Sequence, residues 1–552
     1  MRCGRSINAH TLAWTAAILL TVAMPPLVRG QTEPGIPVTD PVVLARCGTC
    51  HTVDERGNMA RISWARATPE GWQAATKRMI AENDVSVTPL EARGIVKYLS
   101  TRNGLAPEEA KPVMYAAERR IHDESDTATD GLQDACARCH QAARALSWRR
   151  TANDWKRFAA RHAERYQFTP DREAIDFLIQ AAPFHTREWD AWSARTRTAA
   201  LGGRWLVTAH LPGHGNFYGE MDVEATGGGD EFLTRTRLRS VDGTSVLART
   251  GRALAYGGTA WRGRSSGSSP ASAAPDDPAN VAQEAMLIGP DGSSVEGRWF
   301  WGQYEELGFD VKMQRPSSDP IVLLVEPRSL KAGSSGNQIR LIGDRFPAQV
   351  TTADVFAGSA VTVRRIVSST SSEIVAEVDV ARDASPGRRN IAFRSSTLER
   401  AVAIYDRIDY VKVIPDSSLA AFSNETYRRG YQQFEAIGYQ RGPDGRRHTA
   451  DDLELGPVDV AWSMAVFYEV DKSKRDRVGT LSPAGFFTPA AVNPGVNDDV
   501  WIIATAKNEK SSDGRPLVGK SYLVVTVPTY TFNGRTYVRD LDRWIEEPSS
   551  RR

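Results

Sequence analysis

Two hydrophobic patterns divide the chain, and they change near residue 195. Before that point, segments such as "TPEGWQAATKRM" and "TANDWKRFAARH" read as helices. After it, apolar and polar residues alternate between Gly-rich turns, as in "EFLTRTRLRSV" and "SVEGRWFWGQYEE". Alternation with a period of two predicts half-buried strands of antiparallel sheets. The pattern therefore predicts a multidomain α + all-β protein.

The chain length and the strand pattern predict four units after a short leader. At 552 residues the chain is too long for one ordinary core. We expect a helical domain over residues 31–194 and an antiparallel β-barrel over 195–318. An immunoglobulin-like domain of the IPT/TIG type follows over 319–405, where "RLIGDRF" lies, and a β-sandwich over 406–552.

The leader, residues 1–30, has the features of a secretory signal peptide. Arg2 and Arg5 precede the apolar segment Thr11–Met24, and "VRG" provides a cleavage site before Gln31. An uncleaved anchor is the weaker alternative, because this segment is short for a bilayer span of about 20 residues. We expect a periplasmic protein with no membrane span once the signal is removed. Its 69 basic and 67 acidic residues give no charge excess for binding nucleic acid.

The cysteines carry the strongest chemical signal. Cys3 lies in the signal, and the other four form Cys47-Gly-Thr-Cys50-His51 and Cys136-Ala-Arg-Cys139-His140. C-x-x-C-H is the attachment signature of c-type haem: the thiols form thioethers with the porphyrin, and the histidine ligates the iron. A zinc ribbon would place its pairs about 15 to 20 residues apart, whereas Cys136 stands 86 positions after Cys50. A thioredoxin-like dithiol needs no histidine in both copies. We expect two covalently bound haem c groups.

An internal repeat follows the two sites, over residues of about 40–105 and 130–185. "ISW" matches "LSW", and Trp72 and Trp155 each stand seven residues before a residue that can bind iron, Met79 and His162 respectively. Each copy reads as an attachment helix, a ligand helix and a closing helix. Thr88-Pro89 and Thr169-Pro170 are predicted to open the closing helices.

The repeat predicts the sixth haem ligands. Met79 is the candidate for the first haem and His162 for the second, with His51 and His140 as their partners. Core packing is the alternative for Met79, and an exposed helical position is the alternative for His162. The fallback ligands are Met59 and Met114 for the first haem, and His185 and His122 for the second.

The predicted ligands indicate which of the two haems has the higher reduction potential. Methionine ligation raises the potential of haem iron relative to two histidines. We therefore expect a higher-potential first haem and a lower-potential second haem, so that electrons enter at the second and leave from the first.

Aromatic and basic residues near the sites are further candidates. The tryptophans predicted to wall the haem pockets are Trp64, Trp72, Trp148 and Trp155, with core packing as the alternative. Arg138 and the arginines after Trp148 are candidates for contacting haem propionates, although solvated helix faces explain most of those charges better.

Two weaker metal candidates lie in the β region. His210 and His214 flank "LPG", where glycine and proline argue against a shared helix face and no third ligand is apparent. Asp444, Asp451 and Asp452 form a conceivable calcium site, but a hairpin loop with solvated carboxylates is the better reading. No nucleophile-elbow, P-loop, dinucleotide-binding or zinc-protease motif occurs, so we expect no catalytic residue in this chain.

The two haem motifs, the Met79 and His162 positions and three β domains resemble the α subunit of the quinohemoprotein amine dehydrogenase family. The resemblance covers nearly the whole chain in domain order, although the β domains match in layout more than in any signature. It implies a periplasmic αβγ enzyme that oxidises primary amines to aldehyde and ammonia at a cysteine tryptophylquinone on the small γ subunit. It also implies a β-propeller subunit, and azurin or a soluble cytochrome c as electron acceptor. Since no cysteine is spare here, the chain would carry electrons only.

Two other classes remain open. One is a stand-alone dihaem c-type cytochrome or dihaem peroxidase; a peroxidase needs an open sixth position, against which the candidate ligands argue. The other is an exported adhesion or scaffold protein, which the repeated haem sites disfavour.

Overall fold

The computed structural model describes residues 33–114, 143–194 except 168 and 170, 200–268, 274–303, 305–425, 428–467, 477–511 and 514–527. The predicted signal peptide lies outside these ranges, as do Cys136, Arg138, Cys139, His140 and the fallback ligand His122. Within these ranges, no helix is both long enough and apolar enough to span a bilayer.

The described N-terminal region is helical, and its longer helices are capped by their own sequence. Thr68 and Thr151 each accept a backbone N–H at the start of a 15-residue helix. Both helices end at a residue in the left-handed conformation, Asp84 (φ 53°) and Gln167 (φ 55°). The helices are α1 Pro41–Cys47, α2 Pro69–Asn83, α3 Pro89–Arg102, α4 Pro107–Ala110, α5 Ala143–Leu146, α6 Ala152–Tyr166, α7 Arg172–Ala181 and α8 Arg187–Ser193.

A short two-stranded sheet joins the two repeats. Strands β1 (Ala65–Ala67) and β2 (Trp148–Arg150) pair antiparallel, with Arg66 opposite Arg149. Each strand immediately precedes the threonine cap of its ligand helix. The sheet therefore holds corresponding parts of the two repeats against each other.

A closed eight-stranded barrel follows, in the strand order β10-β3-β4-β5-β6-β7-β8-β9. Its interior contains the large buried side chains Trp205, Trp261, Trp299 and Phe309, supplied by alternate positions along the strands. The barrel strands are β3 Gly203–Leu211, β4 Gly215–Thr226, β5 Glu231–Ser240, β6 Val246–Tyr256, β7 Ala260–Gly267, β8 Ala282–Ile288, β9 Ser294–Trp301 and β10 Leu307–Gln314.

The third unit is a sandwich of two four-stranded sheets, β11-β13-β16-β15 and β12-β18-β17-β14. The pair β12–β18 is parallel. Their inner faces share one apolar core that includes Ile339, Ile374 and Phe393. The strands are β11 Ile321–Glu326, β12 Ser329–Lys331, β13 Asn337–Asp344, β14 Val355–Phe356, β15 Val361–Ser369, β16 Glu373–Val380, β17 Gly387–Phe393 and β18 Ser396–Tyr405.

The last unit contains three sheets around one core: β19-β22-β23, β20-β28-β27-β24 and β21-β26-β25. Its strands are β19 Tyr410–Ile414, β20 Ser417–Ala421, β21 Gln432–Gln433, β22 Glu435–Gln440, β23 Leu453–Pro457, β24 Val460–Val466, β25 Gly479–Leu481, β26 Phe486–Pro489, β27 Asp498–Lys510 and β28 Pro516–Thr526. The predicted class, a helical domain followed by β domains, is confirmed.

One expected helix start is wrong. The closing helix of the second repeat begins at Arg172, not at Thr169-Pro170, because the Asp171 carboxylate caps it by accepting the Glu173 N–H at 2.9 Å. In the first repeat the closing helix does begin at Pro89, and Thr88 and Glu91 form a capping box.

The two weak metal candidates are engaged in hydrogen bonds. His210 Nδ1 lies 2.8 Å from Asn216 Oδ1, and its Nε2 lies 3.0 Å from Glu435 Oε2, so His210 joins the barrel to the last unit. Asp452 accepts the Tyr410 hydroxyl at 2.6 Å and the Gly442 N–H at 2.9 Å. These side chains therefore have structural partners within the β domains.

We expect the contact between the barrel and the last unit to weaken as pH rises. Burial disfavours protonated His210, but the Glu435 hydrogen bond and charge outweigh it, so the pKa of His210 is raised above 6.5. Its contribution to stability is complete below the unfolded pKa and is lost as pH rises through the folded pKa, with a slope of at most about 1.4 kcal/mol per pH unit. Denaturant unfolding at several pH values should show this slope for the parent but not for His210→Gln. Equal slopes would contradict the assignment, and His214→Gln is the control.

Candidate haem sites

The first C-x-x-C-H segment forms a turn at the end of α1. Asp40 caps this helix by accepting the Val43 N–H, and the helix ends at Cys47. The Cys50 and His51 N–H groups then both donate to the Cys47 carbonyl, at 3.2 and 2.9 Å. The turn thus presents two thiols and an imidazole from one short segment.

The imidazole of His51 is already oriented as an iron ligand requires. Its Nδ1 lies 2.8 Å from the Ala60 carbonyl oxygen, which can only accept, so Nδ1 carries the hydrogen. The lone pair is then on Nε2. A histidine that ligates a metal commonly donates its other N–H to a backbone carbonyl, which fixes the tautomer and the ring orientation. This part of the chain fits a covalently attached haem.

The two thiols differ in environment. Both cysteines are free of disulfide bonds; Cys47 is half-buried and Cys50 is exposed. Burial, and then the charge of Cys50, raise the pKa of Cys47 above 9.0. A redox-active dithiol instead needs a cysteine with a lowered pKa. The environment of Cys47 therefore argues against a thioredoxin-like dithiol.

The structure offers two methionines for the first haem. Met79 lies on α2, half-buried, with its Sδ 3.8 Å from the Asn83 amide nitrogen. Met59 is fully buried beside Ala60, in the apolar cluster against which Cys47 packs. Met114 belongs to a different cluster, which faces the barrel. Met79 therefore remains a prediction, and Met59 is its direct competitor.

In the second repeat, the predicted ligand His162 lies among aromatic rings. Its ring centroid is 5.4 Å from that of Phe158, one turn before it, and 4.7 Å from that of Tyr166, one turn after it. The fallback His185 packs instead against Phe184 and Trp189, far along the chain from α6. The residues that would attach this haem lie outside the described ranges, so His162 also remains a prediction.

The four predicted pocket tryptophans all have roles in packing. Trp72 and Trp155 are buried, and each donates its indole N–H to the carbonyl at the end of its own closing helix, Asn103 (3.0 Å) and Ala182 (2.8 Å). Trp148 packs edge-on against Trp72, with centroids 5.2 Å apart. Trp64 donates its indole N–H to the Glu33 carbonyl. The equivalent contacts of Trp72 and Trp155 show that the two repeats pack alike.

A buried ion network connects the repeats beneath the short sheet. The guanidinium of Arg66 donates to both carboxylate oxygens of Glu109, at 2.7 and 2.9 Å. Arg149 Nε lies 3.3 Å from the same carboxylate, and the Thr186 hydroxyl donates to it at 2.9 Å. Burial opposes ionisation, but the hydrogen bonds and charge of Arg66, together with Arg149, lower the pKa of Glu109. Glu109 was not among the residues predicted from the sequence; the signal for it was two arginines at matching repeat positions, Arg66 and Arg149.

The solvated-helix interpretation of the arginines after Trp148 is wrong for the two nearest. Arg149 and Arg150 lie on strand β2, where Arg149 is buried and Arg150 is only partly exposed. Pairing of β2 with β1 places Arg149 beside Glu109, whereas Arg150, the next residue of the strand, lies beside the aromatic rings of Trp148, Trp155 and Phe158.

Four family models cover the chain in order: the haem-binding domain at residues 38–175, domain II at 198–316, domain III at 319–406 and domain IV at 411–535. All four are described as quinohemoprotein amine dehydrogenase α subunit. The chain belongs to the quinohemoprotein amine dehydrogenase α-subunit family. Membership implies an oxidoreductase complex with partner subunits, and a haem-binding N-terminal domain.

Two solved structures that resemble this α subunit each match part of it. A redesigned β-barrel is 13% identical with a TM-score of 0.18, covering 23% of this chain and 100% of that chain. Sidekick-1 immunoglobulin domains 1–4 are 11% identical with a TM-score of 0.14, covering 59% of this chain and 95% of that chain. No curated protein matches the chain.

Proposed function

We propose that this chain is the dihaem c electron-transfer subunit of a periplasmic quinohemoprotein amine dehydrogenase. A primary amine is oxidised to aldehyde and ammonia at a cysteine tryptophylquinone on a small γ subunit, beside a β-propeller subunit. This chain carries the electrons onward to azurin or a soluble cytochrome c. The number of haems, the partner subunits, the electron acceptor and the location in the periplasm go beyond what family membership establishes.

The observation that carries the proposal is the His51 geometry at the end of α1. A histidine held through Nδ1 by the Ala60 carbonyl, one residue after two free thiols, has the form of a proximal haem ligand. Haem supplies one-electron redox chemistry when bound. Cys47 and Cys50 would hold it, and His51 would ligate its iron. By the repeat, Cys136, Cys139, His140 and His162 would hold the second haem.

The residues of this chain do their work by holding and enclosing the cofactor. The Ala60 carbonyl keeps the hydrogen of His51 on Nδ1 and the ring in one orientation. The cluster that includes Cys47, Met59 and Trp72 excludes water from one side of the attachment turn. The reduction potential of a haem depends both on the identity of its axial ligands and on how far water is excluded from it.

Amine addition to the complex tests the proposed function. The complex should be purified from its native source without denaturant, oxidised, and given a primary alkylamine while the haem spectrum is recorded. We expect the haems to become reduced in the complex but not in the isolated chain. A chain that purifies alone and is not reduced by any primary amine would favour the independent dihaem cytochrome, and peroxide turnover would then test the peroxidase alternative.

Replacing Met79 by leucine tests the ligand of the first haem. Leucine has a similar volume but no sulfur to bind iron, so we expect the near-infrared absorption that marks methionine ligation of ferric haem to disappear. The potential of that haem should fall, because methionine ligation raises it. Met59→Leu is the matched control and should keep the absorption. The opposite result, loss in Met59→Leu alone, would transfer the assignment to Met59.

A further inference from the structure

Arg150, the last residue of β2, lies in a cage of aromatic rings. Its guanidinium carbon is 4.5 Å from the ring centroid of Trp148 and 5.1 Å from that of Phe158. The Trp155 ring is 5.7 Å away. Cation–π contacts of this kind stabilise a guanidinium but accept few of its N–H groups. The cage therefore holds the charge and leaves its donors available.

No carboxylate pairs with this guanidinium in the described part of the chain. Its Nε is buried and has no hydrogen-bond partner. The acidic group that acts on it is Asp154, which already accepts from Arg157 at 2.7 Å and from the Thr151 hydroxyl at 3.0 Å. Burial, opposed by the Asp154 charge, lowers the pKa of Arg150 to about 10, so the group stays charged at neutral pH. A buried N–H without an acceptor is costly, and an anion beside Arg150 would supply that acceptor.

The surroundings of Arg150 carry an excess of positive charge. Described groups that act on Arg150 or on its neighbour Arg78 include more guanidinium groups than carboxylates. The Glu82 carboxylate is taken by Arg165, through two hydrogen bonds of 2.6 and 2.7 Å. The guanidinium groups are those of Arg78, Arg144, Arg150 and Arg165, and the carboxylates are those of Glu82 and Asp154.

The cage adjoins the predicted iron ligand of the second repeat. Phe158, which contacts Arg150, also stacks on His162, with planes inclined by 22°. In the first repeat the residue before the threonine cap is Ala67, which is fully buried and uncharged. Of these two equivalent positions, only the one in the second repeat carries a charge, and a carboxylate is a good partner for a guanidinium.

We propose that Arg150 binds a propionate of the haem attached at Cys136 and Cys139, with the exposed Arg78 beside it as a second cation. Arginine binds carboxylates through paired N–H donors, which positions the group as well as neutralising it. A cation held next to haem favours the reduced iron, because reduction lowers the positive charge of the iron. Arg150 is thus a positioning residue that raises the potential of the second haem. The inference rests on the proposed haem at that site.

Arg150→Gln tests this inference in the full complex, read by spectroelectrochemical titration of both haems. We expect the haem without the methionine absorption to become about tenfold harder to reduce, about 59 mV for a one-electron couple, and the other haem to change little. Arg150→Lys should recover part of the shift. Arg157→Gln is the matched control, because it removes an exposed charge from the same region that is already paired with Asp154.

Equal potentials in Arg150→Gln and Arg157→Gln would overturn the inference, and so would a shift confined to the haem with the methionine absorption. If Arg150→Gln does not fold, Arg78→Gln should give a smaller shift in the same direction, and no shift would overturn the inference. Mass spectrometry of the haem-bearing peptides separates this outcome from failure of the proposed function. A parent protein without haem on Cys136 and Cys139 would contradict the proposed function itself.

Discussion

Replacing Glu109 by glutamine should lower the free energy of unfolding of the N-terminal domain by about 3 to 5 kcal/mol, the usual cost of breaking a buried ion pair. Arg66 and Arg149 come from the two repeats, and both lose their carboxylate in this variant. The side chains of Arg66 and Glu109 are 0% and 5% exposed, so water cannot replace the missing charge. Denaturant unfolding followed by haem absorption would measure the loss.

The pH dependence of the Glu109→Gln effect provides a second readout. Because the folded pKa of Glu109 is lowered, its contribution is present above the unfolded carboxyl pKa and is lost as pH falls through the folded pKa. The gap between parent and variant should therefore shrink in acid. Glu296→Gln is the control, since its ion pair with Lys111 is exposed and should contribute at most about 1 kcal/mol. A loss for Glu109→Gln no greater than for Glu296→Gln would show that the network does not hold the repeats together.

Replacing Cys47 and Cys50 together by alanine should remove one of the two covalently bound haem groups that we propose for each chain. Thioether formation requires these thiols, and His51 alone can hold haem only without a covalent bond. The intact mass of the purified chain would measure the change. The remaining haem should lack the methionine absorption, since the predicted second ligand pair is His140 and His162.

Thr49→Ala is the matched control for the double cysteine variant, because it alters the same turn and leaves both thiols in place. It should retain the full haem content. An unchanged mass in the double cysteine variant would exclude attachment at this segment. Loss of both haems would instead mean that haem attachment in the second repeat depends on the first. The Glu109 network, which contacts both repeats, could transmit such a dependence.

The sequence by itself determined the chemistry and the order of the parts. Two C-x-x-C-H segments contain every cysteine after the predicted signal, and they predict haem attachment because thioether chemistry requires that spacing. Period-two alternation after residue 195 predicted the β domains, since each strand has one buried face. Thr88-Pro89 marked the start of α3 correctly, because a threonine cap and a proline in the first turn act through local structure.

Two predictions from local patterns failed. Helix α7 begins at Arg172 rather than at Thr169-Pro170, because Asp171 provides the cap. The arginines after Trp148 read as solvated helical charges, but the pairing of β1 with β2 buries Arg149 against Glu109, 40 residues before it. Strand pairing and burial depend on parts of the chain that a local window does not contain.

Only the tertiary structure revealed the contacts that orient and surround the predicted site residues. The Ala60 carbonyl that orients His51 is a backbone group, so the residue type at position 60 does not predict this hydrogen bond. The aromatic cage of Arg150 and the competition between Met59 and Met79 likewise arise from packing. Spacing along the chain selects which residues can bind a cofactor, whereas burial and the surrounding charges decide how each of them is held.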